Sequence, residues 1–311
     1  MRIHWTLLLS VAAMLLSAVP AGAYYFEWIG PYVTGDWTTA TNWWNCETQQ
    51  YGVPGANDTA AIGHGMVQIG IADVDVGSLI IGPQAHVYLI DGYTLTIHGP
   101  DPSTLDGWLE FRGVGVGGSA GHQGCRRVSY LHLAQDVTIH GSGGIVGHDC
   151  AGTYYARGVI TSATLQGGPA ELTLSRDDPW DERPSILGYV RIAAPLNNGG
   201  IVGVEGNQRD VLTLTTNAKT STSDGTWRAA GNGTLSVGVA VSGGAEWIAA
   251  EDGALEINAA CTSLSGGVLL DGASMEVNQN FSTLGEFEAD STNGDVTIEV
   301  APGRTLHCGA G

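Results

Sequence analysis

The stretch that decides the fold is residues 234–277, TLSVGVAVSGGAEWIAAEDGALEINAACTSLSGGVLLDGASMEV. Three apolar pairs recur in it: Leu235/Val237, Leu255/Ile257 and Met275/Val277. Each pair is split by one polar residue, Ser236, Glu256 or Glu276. Period-two alternation turns one side of a strand inward and the other outward. Both steps are 20 residues long. Between the pairs lie Gly243-Gly244, Asp252-Gly253 and Asp271-Gly272, which suit corners of positive φ.

The pattern extends in both directions. Upstream stand Leu172/Leu174, Val190/Ile192 and Leu212/Leu214, and downstream Val296/Ile298, at steps of 18, 22, 23 and 21 residues. Further upstream Val74/Val76, Leu95/Ile97, Val114/Val116 and Val137/Ile139 continue it at steps of 21, 19 and 23, and the phase slips between residues 140 and 172. A strand this short cannot bury its apolar side alone. Coils stacked at about 4.8 Å give it neighbours above and below and merge the inner sides into one core. The expected fold is therefore all-β, a single parallel β-helix of about 20–22 residues per coil. A β-sandwich or jelly roll is the competitor, and the near-constant spacing favours the coil.

Composition agrees. Glycine contributes 47 of 311 residues, and charged residues only 14%. Lys219 is the single lysine, which excludes a coiled coil or a Lys/Glu-coated bundle. A formal charge of -19 without a basic stripe excludes nucleic acid as a partner. At the N-terminus Arg2 precedes an apolar run from Thr6 to Val19, then Pro20 and Ala21-Gly22-Ala23. That order reads as a secretory signal peptide over residues 1–23, with the mature chain starting at Tyr24. No later run is apolar enough to span a membrane, so a secreted, extracytoplasmic product is expected.

Five cysteines, Cys46, Cys125, Cys150, Cys261 and Cys308, leave at least one unpaired or paired between chains. Cys125 and Cys150 are the disulfide candidate, since both fall in one loop-rich region. Residues 24–54 hold Trp28, Trp37, Trp43 and Trp44 among many aromatics. These rings read either as a sugar-stacking platform or as a plug over the open core of the first coil. The domain reading is thus a signal peptide (1–23), an aromatic cap (24–54) and a β-helix (55–311) interrupted or uncapped at its C-terminal end. Such an end would favour end-to-end association.

Residues 37–99 carry a resemblance. They read Trp37, then Asn42-Trp43, Gly52-Val53-Pro54-Gly55-Ala56-Asn57-Asp58-Thr59-Ala60, Gly77-Ser78-Leu79-Ile80-Ile81-Gly82 and Gly92-Tyr93-Thr94-Leu95-Thr96-Ile97. This resembles the opening of secreted bacterial β-helix proteins with autotransporter-type β-strand repeats, of the kind found in planctomycete-like secretomes. It is also similar to the extracellular domain named for its eight glycines. The resemblance implies a right-handed parallel β-helix, part of a large surface protein, with no shared catalytic motif. Here an insertion, Asn45 to Tyr51, precedes the Gly-Val-Pro-Gly segment.

Two constellations could carry chemistry. His122, His132, His140 and His148 fall close together beside Cys125, Asp149 and Cys150, ligand types that zinc or copper favour, at spacings matching no zinc motif. Between Arg176 and Arg183 lie Asp177, Asp178, Asp181 and Glu182. Paired carboxylates suit glycosidic chemistry, and converging oxygens suit calcium (Ca²⁺), whereas the bland alternative is a solvated turn. Glu171, Glu205 and Asp210 are the candidates for an opposing wall. The favoured function is an extracellular structural or adhesive solenoid without a cofactor, its partners surface polysaccharide or other surface proteins. The alternative is a β-helix polysaccharide lyase or glycoside hydrolase using loop 176–183.

Overall fold

A computed structural model describes residues 23–90, 92–99, 101–112, 128–147, 158–165, 168–176, 183–205 and 210–309. Every regular element in them is a strand, apart from a 3-10 turn at Ala40–Asn42. The strands wind in a repeating order around three faces. One coil runs Leu196–Asn198 on the first face, Ile201–Val204 on the second and Val211–Leu214 on the third. The next runs Lys219–Ser221, Thr226–Ala230 and Thr234–Val237. Each of these strands pairs in parallel with its counterpart in the adjacent coil.

Ten third-face strands, from Val74–Val76 to Thr297–Val300, form one sheet. The other two faces join into a 23-stranded sheet. Two early strands, Thr59–Ile69 and Ser78–Ile90, turn the corner between those faces without a break. The chain is thus a parallel β-helix, and neither a sandwich nor a jelly roll.

The core sits inside the three faces as columns of side chains. On the third face the column Leu95, Leu131, Ile160, Ile192, Leu214, Val237, Ile257 and Val277 is in register coil to coil, and every member is buried. On the second face Trp227 pairs with Trp247, their rings 5.7 Å apart, and Phe281 meets Trp247 edge-on. The anchors expected from sequence need two corrections. Leu172/Leu174 and Val137/Ile139 stack on each other on the first face, not on the third. Met275 and Val277 stack on Ile298 and Val300, so the last anchor pair lies two residues beyond Val296/Ile298.

The phase slip has a simple cause. The third-face step is 36 residues from Leu95 to Leu131, 29 to Ile160 and 32 to Ile192. It returns to 23 from Leu214 to Val237 and 20 to Ile257. The described strands of these long coils keep their stacking register, so the added sequence falls between strands. Val114/Val116 lies outside the described residues.

Some buried polar groups in the columns are satisfied, whereas the indole Nε1 atoms of Trp227 and Trp247 have no hydrogen-bond partner. Asn198 sits at a first corner, where its Nδ2 donates to the Thr226 carbonyl at 3.1 Å and its Oδ1 accepts from the Gly200 N–H at 3.0 Å. Lys219 is less comfortable. It occupies the column between Leu196 and Val241, is 1% exposed, and its Nζ donates to the carbonyls of Thr215 (3.0 Å) and Asn217. Burial lowers its pKa from 10.5 to about 8. Below pH 8 both folded and unfolded chains hold the proton, and the cost of burying the charge is borne in full. Between the folded value of about 8 and 10.5 the unfolded chain binds more protons, so stability rises with pH. From pH 8 to 9 the parent should gain about 1 kcal/mol relative to Lys219→Met, measured by urea unfolding of both. An equal pH response in the two proteins would refute it.

Candidate functional site

The cap is an antiparallel sheet of Tyr25–Trp28, Trp43–Asn45 and Gln50–Tyr51. Its first strand also pairs in parallel with Tyr25 opposite Thr59 and Phe26 opposite Ala60, so the cap sheet continues the first face. Alternation sends Phe26, Trp28 and Trp43 inward, where Trp37 joins them from the following loop. The rings of Trp28 and Trp37 lie 5.0 and 4.7 Å from that of Trp43, and Trp43 Nε1 donates to the Trp37 carbonyl at 2.7 Å. Exposure is 1% at Trp28 and 0% at Trp37 and Trp43. These three rings present no face to a sugar, because they close the end of the core. Trp44, one residue on, points the other way, is half-buried, and stands opposite Glu27 and Tyr51.

Asp177, Asp178, Asp181 and Glu182 lie outside the described residues; the two arginines that bracket them lie within. Arg183 Nη1 donates to the Asp224 carbonyl at 2.6 Å and lies 3.3 Å from Thr226 Oγ1. Arg176 and Arg183 line a depression of about 410 Å³ on the second face with Ser142, Leu187, Ile201 and Glu205. Of the expected opposing acids, only Glu205 is there, and it pairs with Arg228 at 3.1 Å. Asp210 is 5% exposed and bonded, and Glu171 takes the Asp136 carboxylate on its backbone N–H.

Of the four histidines, the two described ones do not converge. His132 is on the third face, its Nδ1 2.9 Å from Thr161 Oγ1, whereas His140 ends a first-face strand. Among the described residues no three metal-ligating side chains come together. His122, His148, Cys125 and Cys150 lie outside the described residues. Cys46, Cys261 and Cys308 form no disulfide.

Sequence reading missed one cluster. On the second face Glu110 is 9% exposed, with His86 Nδ1 at 2.6 Å and Arg112 Nε at 3.3 Å. Arg112 lies over the Tyr88 ring, 3.5 Å from its centre. The parallel register sets Glu110 beside Tyr88 one coil earlier, a juxtaposition across 22 residues that no local pattern signals. The cluster ties two coils together by charge-assisted bonds. Comparison with models of known protein families, with characterised proteins and with solved structures finds no match for this chain.

Proposed function

We propose that the chain is a secreted structural and adhesive solenoid of a bacterial surface that contacts polysaccharide. The observation that carries this reading is the outer surface of the stack. From residue 172 onward the outward row of the third face is Arg191, Thr213, Ser236, Glu256, Glu276 and Glu299, all polar and in register. The first face likewise turns Thr173, Asn197, Thr220 and Ser242 outward. Such a wall suits a spacer: its backbone bonds run along the axis, and its outward rows are polar throughout. The second face carries outward aliphatics, Leu187, Ile201, Ile248 and Leu269, over shallow depressions. Among the described residues no helix is long and apolar enough to cross a membrane. The leader-like residues 1–23 and the resemblance of residues 37–99 support export from a bacterium.

Two measurements test the reading. Residues 1–23 fused ahead of a leaderless alkaline phosphatase should give phosphatase activity outside the cytoplasm of a bacterial host; an inactive fusion would overturn the secreted reading. Incubated with neutral and acidic polysaccharides, the chain should release neither reducing ends nor unsaturated sugars. Product release would replace the scaffold with the carbohydrate-active alternative.

A further inference from the structure

We infer that the outer side of the cap sheet, formed by Tyr25, Glu27, Trp44 and Tyr51, is a contact site for a neutral polysaccharide of pyranose units; this rests on the glycan-contacting reading above. The strand register builds the site. Glu27 lies opposite Trp44, and Trp44 opposite Tyr51, so the three form one row across the sheet. Alternation puts Tyr25 on the side of Glu27 and sends Phe26 and Trp28 to the other. Tyr51 is 59% exposed and Tyr25 39%, whereas the three neighbouring tryptophans are sealed inside. The rings of Trp44 and Tyr51 stand 5.3 Å apart at 73°, forming an angled aromatic corner.

The chemistry selects the ligand. A pyranose offers an apolar face of C–H bonds and a rim of hydroxyls. The first packs on an aromatic ring, and the second donates to a carboxylate such as Glu27. Glu47 sits beside it, its Oε2 accepting the Tyr25 backbone N–H at 2.9 Å. Burial, then Glu27, holds the Tyr25 hydroxyl above its usual pKa, so it remains a donor. Charge decides against acidic sugars. There is no Lys or Arg from residue 3 to residue 111, and the chain carries -19, so a uronate or sulfate would meet two carboxylates and neither Lys nor Arg. The rings are also held in place before binding, because the strands that carry them are fixed from behind by Trp28 and Trp43. That limits the entropy lost on contact.

Affinity electrophoresis of the chain through gels containing hydroxyethyl cellulose, galactomannan, dextran or alginate tests the site. At least one neutral polymer should retard the chain, and alginate should not. Tyr51→Ala and Trp44→Ala should each weaken retardation at least about tenfold. Tyr130→Ala, which removes an exposed ring from the third face, should leave it unchanged. Tyr51 is mostly solvent-facing, so its variant keeps the fold and the test does not depend on Trp44→Ala alone. Retardation that survives both substitutions overturns this site and leaves glycan contact standing. Retardation by alginate alone, or binding of a polylysine peptide in place of every neutral polymer, overturns the ligand class. No retardation by any polymer overturns the site and the glycan part of the function, while the export fusion reports on secretion separately.

Discussion

Trp43→Ala should open the N-terminal end of the solenoid, at a cost of about 3–5 kcal/mol to the cap. The ring is fully buried, touches Trp28 edge-on and Trp37 at 60°, and supplies the hydrogen bond to the Trp37 carbonyl. Alanine leaves a cavity between two tryptophans that cannot close it, since Trp28 is itself packed beneath Gly30 and Gly35. A stack of coils is held together mainly by contacts between neighbours, so the loss should appear first as local unfolding of residues 24–69. Hydrogen exchange should show those strands opening while the third-face strands beyond residue 211 keep their protection. Light scattering should rise with concentration, because the exposed edge of the first coil is a template for pairing. Trp44→Ala, one residue away but outward, should change stability by less than about 1 kcal/mol. Equal exchange in Trp43→Ala and the parent would show that the cap is not what closes the stack.

The second large effect is expected at Gly188. This residue takes φ +80°, and a Cβ there would fall on the carbonyl oxygen of Gly147 in the preceding coil. It stands at a tight corner, where one residue, Tyr189, separates the second-face strand Ser185–Gly188 from the third-face strand Val190–Ile192. The Tyr189 N–H donates to the same Gly147 carbonyl at 2.5 Å, so the corner is locked to the coil before it. Gly188→Ala combines backbone strain with a main-chain overlap that no rotamer relieves, for a loss of about 3 kcal/mol or more. The measurement is urea unfolding with hydrogen exchange at Gly158–Ser162 and Val190–Ile192, which should both lose protection. Gly303→Ala is the control: φ is also positive, +75°, but nothing lies within reach of the new methyl, so only the conformational cost of about 1 kcal/mol is expected. Equal losses in the two variants would refute the overlap argument.

The sequence by itself determined the class of fold, because period-two alternation repeated at near-constant spacing has few other solutions. Leu235, Leu255 and Met275 stack as their 20-residue steps require. Three decisions belonged to the tertiary structure. The face on which a pair lies was one: Leu172/Leu174 and Val190/Ile192 have the same pattern, and only parallel register places one on the first face and the other on the third. An inner strand looks alike on every face, since each face needs the same alternation. The second was the fate of the aromatics. Trp43 and Trp44 are adjacent and chemically identical, yet one seals the core and the other faces outward. Strand alternation requires that they differ, but which one points inward depends on pairing with Tyr25–Trp28 and on the coil beneath. The third was long-range polar pairing. Glu110 with His86, and Lys219 in an aliphatic column, arise because stacking makes neighbours of residues about 20 positions apart. A local reading of composition or spacing cannot see such contacts, because the physical distance that creates them is the rise of one coil.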